Sequence, residues 1–360
     1  MTPSPAPDSA ALADAAESFR SAYVHIPFCA RICPYCDFAV VEGRSDVVDR
    51  YLGAVLREMD DELAWGPLDA VFFGGGTPSS VPPSALGRIL IGLEKRFGLA
   101  GDAEITLEAN PEDWTVERAG ALAQFGFTRV SFGAQSFDEA VLASLGRRHG
   151  PDDIVRAVEV SRAERFASVS LDLIFGTPSE SLASWVATVE RAIDLGVDHV
   201  STYSLTVEPT TALGKAVRAG APAPDPDDQA DKWELAVERL GQAGLVRYEV
   251  SNHARPGHPC RYNLGVWAQG EYLAFGMGAH GFRNGIRKRN VRRLDTYLDR
   301  VESGLGAVQA ADTVEGWAAE AERLMLGLRR SAGVLAGEGG AALLASADGR
   351  RLVEAGVVTE

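Results

Sequence analysis

The sequence predicts an α/β fold, a partial (β/α)6 barrel followed by a small, mainly helical C-terminal domain. Three observations lead to this prediction. Apolar runs of strand length alternate with amphipathic stretches of helix length from residue 21 to about residue 207. Glycine or proline stands at most of the junctions between them. Beyond about Thr313 the pattern becomes helical.

The first part of the chain alternates strands and helices one by one. Strands are predicted at Tyr23–Ile26, Ala70–Phe73, Ile105–Glu108, Arg129–Phe132, Val169–Phe175 and Val200–Leu205. Helices are predicted between them at Asp46–Leu63, Ser84–Phe97, Thr115–Phe125, Asp152–Arg165 and Leu182–Leu195. Single helices between successive strands are typical of βαβ units, so we expect a parallel sheet. Six units predict an open barrel, because the closed form has eight.

The second part of the chain gives less regular signals. Gly220–Asp228, rich in Pro, Ala and Asp, predicts a surface loop before a helix at Asp231–Leu240. A strand is predicted at Val246–Ser251, and helices around Trp317–Arg330 and Ala341–Ala347.

These elements divide the chain into three parts. Residues 1–21 predict a disordered tail, because they are rich in Pro, Ala, Ser and Asp. Residues 22–300 predict the barrel with an extension, and residues 301–360 a small C-terminal domain.

Composition limits the classes of function. The chain has 35 Lys and Arg against 50 Asp and Glu, a formal charge of −15, which argues against a broad nucleic-acid-binding face. No window approaches the roughly 18 apolar residues of a membrane span, and the N-terminus lacks the features of a signal peptide. We therefore expect a cytoplasmic protein without a membrane span. Arg283–Arg293 is strongly basic and predicts a solvated loop or hairpin.

Three of the four cysteines lie within eight residues, as Cys29, Cys33 and Cys36. Thiolates bind soft metals, so the triplet indicates either structural zinc or an iron–sulfur cluster. Zinc needs a fourth ligand, for which Cys260 or His25 is available. Three thiolates can instead hold three irons of a 4Fe-4S cluster and leave one iron open. The triplet favours the cluster, with zinc or unligated cysteines as alternatives.

Polar motifs follow several of the predicted strands. Cys29–Cys36 follows the first, Gly74–Pro78 the second, Glu108–Pro111 the third and Gly133–Ser136 the fourth, while Asp172 lies within the fifth. The carboxyl ends of parallel strands lie at one edge of such a fold, where ligands usually bind. We therefore expect these motifs to meet at one rim.

A Cys-x3-Cys-x2-Cys loop after the first strand of a βα barrel resembles the radical S-adenosylmethionine (SAM) superfamily. There the amino and carboxylate groups of SAM bind the open iron. Further motifs resemble the oxygen-independent coproporphyrinogen oxidases and their heme-chaperone relatives, namely Tyr23–Cys29, Phe73–Ser79, Asn110–Glu112, Ser131–Phe137, Leu145–His149, Asp172–Gly176 and Tyr203–Leu205. The resemblance covers residues 22 to about 330 and implies a radical-SAM barrel.

The resemblance also implies the cofactors and their ligands. It implies a 4Fe-4S cluster on Cys29, Cys33 and Cys36. It implies SAM contacts from Tyr23, Gly75, Gly76, Thr77, Glu108, Gln135, Arg147 and Asp172. Independently of the resemblance, a carboxylate on a buried strand must be paired or bound, which applies to both acidic residues of this set.

Two features favour the heme-chaperone (HemW-like) group of this family over its oxidases. The oxidases usually carry a fourth cysteine two residues after the triplet, where this chain has Phe38. They also have a longer segment before the first strand. The resemblance then implies binding of heme and its transfer to an unknown apo-hemoprotein acceptor, with a small electron donor if SAM is cleaved. The alternatives are a coproporphyrinogen III oxidase or a radical SAM enzyme with another substrate.

One motif departs from the chaperone pattern. Those proteins typically carry His-Asn-x-x-Tyr-Trp, which is linked to heme binding. The matching segment here is Tyr262–Trp267, with Tyr262 in place of the His and Val266 in place of the Tyr. The axial ligand of the heme iron is left open among Tyr262, Cys260, His258 and His253. Arg261 and the basic run are candidates for binding an anionic porphyrin. Since relatives usually continue with a further strand and helix, we expect an incomplete C-terminal domain.

Overall fold

The structure, a computed structural model, describes residues 18–358. The predicted disordered tail therefore lies outside the described residues as far as residue 17. Within the described part, fourteen strands occur: β1 Ser21–Ile26, β2 Phe28–Cys29, β3 Val41–Glu42, β4 Leu68–Gly75, β5 Leu99–Ala109, β6 Arg129–Gln135, β7 Ser168–Phe175, β8 His199–Ser204, β9 Val246–Arg247, β10 Asn252–Ala254, β11 Tyr272–Phe275, β12 His280–Arg283, β13 Ile286–Asn290 and β14 Val308–Thr313.

A large, open sheet carries the fold. The strand order is β14-β13-β12-β11-β1-β4-β5-β6-β7-β8-β10-β9, with β2 and β3 forming a separate pair. All strands from β11 through β8 in this order run parallel. The six strands predicted from the sequence are β1 and β4 to β8, so the predicted α/β class with a parallel barrel sheet is confirmed.

Helices follow the strands as the sequence pattern predicts. Those within residues 18–358 are α1 Val48–Asp61, α2 Pro83–Phe97, α3 Val116–Phe125, α4 Glu139–Ser144, α5 Pro151–Ala163, α6 Leu182–Asp194, α7 Ala212–Arg218, α8 Pro226–Gln242, α9 Arg261–Trp267, α10 Leu294–Glu302, α11 Gly316–Gly327, α12 Gly337–Ala345 and α13 Ala347–Glu354. The predicted helix at Ala341–Ala347 is thus two helices, divided at Ser346.

The hydrophobic core lies between the sheet and the helices that cover it. Successive strand residues point to opposite faces, so Val24 and Val71 pack in this core. The intervening residues, such as Tyr23 and Glu108, are not part of this core and line a cavity. Alternate residues of these strands therefore pack in the hydrophobic core or line the cavities.

The strand predicted at Val246–Ser251 is wrong beyond Arg247. The Tyr248 side chain is buried, and its hydroxyl hydrogen-bonds His199 Nε2 at 2.8 Å and accepts from the Cys260 backbone N–H at 3.2 Å. The chain leaves the strand at this point, and β10 then pairs with β8 in antiparallel orientation.

The basic run forms a hairpin, as the sequence predicts. Strands β12 and β13 pair antiparallel, and the two turn residues, Asn284 and Gly285, have φ of 52° and 70°. Asn-Gly is the preferred sequence for such a turn, because both positions need positive φ. Strand β14 pairs with β13, so part of the predicted C-terminal region extends the sheet of the barrel. No helix within residues 18–358 is long and apolar enough to cross a membrane.

Candidate functional site

A cavity of about 630 Å³ opens where the parallel strands end. Ten of the eleven predicted site residues line it, namely Cys29, Cys33, Cys36, Gly75, Gly76, Thr77, Glu108, Gln135, Arg147 and Asp172. We call it the cysteine cavity. The fold thus brings together side chains that are spread over more than 140 residues of sequence.

A second cavity of about 690 Å³ adjoins the first. Tyr23, the remaining predicted site residue, lines this cavity rather than the cysteine cavity. Gly75 and Glu108 line both, as do Asp37 and Phe38 of the cysteine loop. Residues of the β12–β13 hairpin, His280, Arg289 and Asn290, line the second cavity, so we call it the hairpin cavity.

The cysteine loop is held at both ends by the β2–β3 pair, in which Phe28 lies opposite Val41. All three thiols are free and partly exposed. Thr77 Oγ1 donates to Cys29 Sγ at 3.6 Å, and Arg147 Nη1 donates to Cys33 Sγ at 3.5 Å. Such donors stabilise negative charge on sulfur, which a thiolate ligand carries.

Burial opposes ionisation of these thiols. It raises the pKa of Cys29 to about 11 and also raises the pKa of Cys36. Without a cation the Cys29 thiol therefore keeps its proton at neutral pH, and binding of a metal must displace it. Within residues 18–358, no three His, Cys, Asp or Glu side chains are close enough to hold a single metal ion.

The glycines after β4 are required by close packing against the first strand. Gly75 has φ of 111°, and a Cβ there would lie 2.4 Å from the His25 ring. A Cβ on Gly76 would lie 2.7 Å from the backbone carbonyl of Pro27. Only glycine therefore lets the β4 turn approach the strand that leads into the cysteine loop.

Two partly buried carboxyl groups, Glu108 and Asp172, line the cysteine cavity. Glu108 Oε2 accepts the Gly75 N–H at 3.1 Å, and burial and the charge of Asp172 raise the pKa of Glu108 to about 7. Asp172 accepts the Ser131 hydroxyl at 3.1 Å, and burial raises the pKa of this carboxyl too. Both groups can accept hydroxyl or amino donors of a ligand.

An amide, Gln135, and a guanidinium, Arg147, also line the cysteine cavity. Arg147 Nη2 donates to Asn110 Oδ1 at 2.6 Å and to the Gly133 carbonyl at 2.9 Å. Gln135 has φ of 64°, and its Oε1 is buried without a partner in the described part of the chain. A buried acceptor left unpaired is a position where a ligand donor fits.

The histidines near the cysteine loop have structural partners. His25 Nε2 donates to the Ala39 carbonyl at 2.7 Å, and its Nδ1 accepts the Tyr23 hydroxyl at 3.1 Å. Burial lowers the pKa of His25 to about 4, so the ring stays neutral. His149 bonds the Ala134 carbonyl at 2.9 Å.

The structure separates the residues considered as heme ligands. His253 and Cys260 are fully buried, and burial raises the pKa of Cys260 to about 12. Tyr262 lines the hairpin cavity, whereas His258 lines neither cavity. Arg261 pairs with Asp102 at 2.9 Å and does not line the hairpin cavity.

The basic run is divided between the two faces of the hairpin. Arg283 and Lys288 pair with Glu62 at 3.6 and 3.2 Å. Arg289 and Arg292 line the hairpin cavity together with His280. Sequence reasoning missed His280, although it ends the glycine-rich stretch between β11 and β12, a pattern that often brings backbone close to a ligand.

A comparison with protein families finds the radical SAM superfamily over residues 23–192. The chain is 42% identical over 323 residues to a heme chaperone HemW of Mycobacterium tuberculosis, which covers 87% of this chain and 82% of the relative. It is 36% identical to a heme chaperone HemW of Bacillus subtilis, with 88% and 84% covered.

Among solved structures, the chain is similar to a coproporphyrinogen III oxidase (HemN) from Escherichia coli. The TM-score is 0.82 at 24% identity, and the match covers 97% of this chain and 86% of the other. At this identity the similarity concerns the fold.

Proposed function

The chain belongs to the radical SAM superfamily and, within it, to the family of the heme chaperone HemW, and on this premise we propose that it binds heme and transfers it to an acceptor protein. The observation that carries the proposal is the extent of the similarity, which covers more than four fifths of this chain and of each of these two relatives. Free cysteines, as found at all four positions, suit the cytoplasm as the place of action.

The cofactor part of the proposal is a 4Fe-4S cluster with an exchangeable SAM molecule. Cys29, Cys33 and Cys36 would hold three irons, and each lines the cysteine cavity. When bound, such a cluster supplies an open iron site for the methionine end of SAM. The orphaned Gln135 Oε1 and the Arg147 guanidinium beside the cavity suit the amino and carboxylate groups of that ligand.

The residues around the cluster site would act by binding and orienting. Thr77 and Arg147 donate to cysteine sulfurs and would lower the cost of their ionisation. Glu108 and Asp172 would accept donors from SAM. An acceptor hemoprotein completes the proposed cycle, and a small electron donor is needed only if SAM is cleaved.

Phe38 stands where the oxidases of the family carry a fourth cysteine. Its side chain is 70% exposed and lines both cavities. No sulfur ligand is available at this position, which supports the chaperone over the oxidase.

The test is titration of anaerobically reconstituted protein with hemin, followed by mixing with apomyoglobin. We expect binding near one heme per chain and recovery of the holomyoglobin spectrum. Conversion of coproporphyrinogen to protoporphyrinogen in the presence of SAM and a reductant would contradict the proposal. So would the absence of saturable hemin binding.

A further inference from the structure

The hairpin cavity has the size and lining of a site for a flat aromatic ligand. Its volume of about 690 Å³ falls in the range of small-molecule sites. Tyr262 forms part of its wall, with ring centroids 5.9 Å from Tyr23, 5.1 Å from Phe72 and 5.9 Å from Tyr272. Such a cluster of rings offers an apolar surface to a planar ring system.

The lining also includes the basic residues Arg289 and Arg292, in a protein with a formal charge of −15. Residues directly opposite each other in the hairpin share one face, and His280 lies opposite Arg289. Within residues 18–358, Arg289 forms no hydrogen bond or ion pair, while Arg292 pairs with Asp37 at 3.7 Å. Two guanidinium groups beside an aromatic wall suit a ligand with carboxylates at its edge.

The loop that leads to His280 is fixed against α1 and against the segment that follows β13. The Met277 N–H donates to Tyr51 Oη at 3.1 Å, and the Gly278 N–H donates to the Val291 carbonyl at 2.8 Å. Gly276 has φ of 99°, and a Cβ there would lie 2.4 Å from Tyr51 Oη. These contacts hold the start of β12 at a defined distance from the barrel, so His280 is preorganised at the cavity wall.

The His280 imidazole is exposed and is available as a neutral ligand. Partial burial and the nearby Arg289, Arg287 and Arg292 lower its pKa below the ordinary value. A neutral imidazole keeps a free lone pair on one ring nitrogen, which is the atom that binds iron. In the described part of the chain, no hydrogen bond or ion pair occupies either nitrogen.

Tyr262, at the position of the motif histidine, is a poorer iron ligand. It would have to bind as a phenolate, as tyrosine does in catalase. Burial and the charges of Tyr272, Tyr23, Cys260 and Glu108 raise the pKa of Tyr262 well above its ordinary value. The Tyr262 phenol therefore stays protonated, and its ring contributes apolar surface to the cavity.

We propose that heme occupies the hairpin cavity with its iron on the His280 imidazole and its propionates on Arg289 and Arg292. This inference rests on the proposed heme-chaperone function. The proposed iron ligand thus lies at the start of β12 and not in the altered motif on α9. The ligand then lies next to the cysteine cavity, with Glu108 and Gly75 between the two.

The experiment titrates the reconstituted full chain with hemin and records affinity and the Soret and electron paramagnetic resonance spectra. His280→Ala should weaken binding at least tenfold and lose the imidazole signature, and free imidazole should restore that signature. His280→Gln has a side chain of similar size and should also lose the imidazole signature. The iron–sulfur absorption of each variant reports on folding. His258→Ala is the matched control and should bind like the wild type.

Further variants separate the components of the site. Tyr262→Phe should retain the imidazole signature, because the ring is kept and only the hydroxyl is lost. The double variant Arg289→Gln, Arg292→Gln should bind hemin several times more weakly without a change of axial ligand.

Three outcomes would overturn the inference. Unchanged affinity and spectrum in His280→Gln would refute the iron ligand. A phenolate-type spectrum of the wild type that is lost in Tyr262→Phe would assign the iron ligand to Tyr262. In both cases heme binding by the wild type leaves the chaperone function standing. A wild-type protein that binds no hemin would overturn both the inference and the proposed function.

Discussion

Replacement of Glu108 by Gln tests the electrostatics of the cysteine cavity. The side chain is partly buried, and its carboxyl accepts the Gly75 N–H at 3.1 Å. Glutamine keeps an acceptor for this N–H and has nearly the same volume. The variant therefore removes the ionisation of the group while retaining its packing.

The magnitude follows from the pKa. Burial raises the pKa of Glu108 from 4.5 to about 7, and one pKa unit corresponds to about 1.4 kcal/mol. The folded chain binds this proton more tightly than the unfolded chain, so its contribution to stability falls as the pH rises from about 4.5 to about 7. Glu108→Gln should therefore be more stable than wild type by about 3 kcal/mol at pH 8, and by less than about 1 kcal/mol at pH 5.

Urea unfolding of the cofactor-free protein at pH 5, 6, 7 and 8 measures this difference. In the reconstituted protein, calorimetric titration with SAM at pH 8 should show at least tenfold weaker binding by the variant. Glu249→Gln is the matched control. This carboxyl is buried, accepts the Ser251 N–H at 3.0 Å and, like Glu108, has a raised pKa, but it lines neither cavity.

Glu249→Gln should also be more stable than wild type at pH 8 and should bind SAM with unchanged affinity. Equal stability of Glu108→Gln and wild type at pH 8 would refute the ionisation cost. Unchanged SAM affinity in Glu108→Gln would refute its role as a SAM contact.

Two further predictions concern the cluster ligands and the buried ion pair of Lys232 with Glu180. Cys33→Ala should abolish the iron–sulfur absorption of the reconstituted protein, whereas Cys260→Ala, whose thiol is buried elsewhere, should retain it; a band that survives in Cys33→Ala contradicts the ligand assignment. Lys232→Met should lower the free energy of unfolding in urea by about 3–5 kcal/mol, because it leaves a buried carboxylate uncompensated. Lys232 Nζ lies 3.2 Å from Glu180 and 2.7 Å from Asp228. Addition of Glu180→Gln should recover part of the loss, and a loss under about 1 kcal/mol would contradict the argument.

The barrel strands were predictable because each is a short apolar run between amphipathic helices. The strands after residue 270 carry weaker signals. Tyr272–Phe275 has only four residues and stands in a glycine-rich context, and its pairing with β1 depends on contacts about 250 residues apart. No local pattern contains that information. The deviation after Arg247 has a similar cause, since burial of Tyr248 is decided by partners on β8 and α9.

The cysteine cavity was predictable because its residues stand at the ends of strands, where the topology of a parallel sheet brings them together. Tyr23 was placed with this group, and in the structure it lines the adjoining cavity. The hairpin cavity was not predictable, because its walls come from several segments as far apart in sequence as Tyr23 and Gln309. The basic run was visible in sequence, but only the strand register shows that Lys288 and Arg289 face opposite sides.

The pairing of β11 with β1 has a consequence for how the protein is made. Every residue lining the cysteine cavity lies between residues 29 and 208, whereas the hairpin cavity also needs residues 262 to 309. Chains emerge from the ribosome N-terminus first and at a limited rate, so the proposed cluster site can form while the hairpin is still being synthesised. We expect a ribosome-bound chain to form its proposed cluster site before it can bind heme.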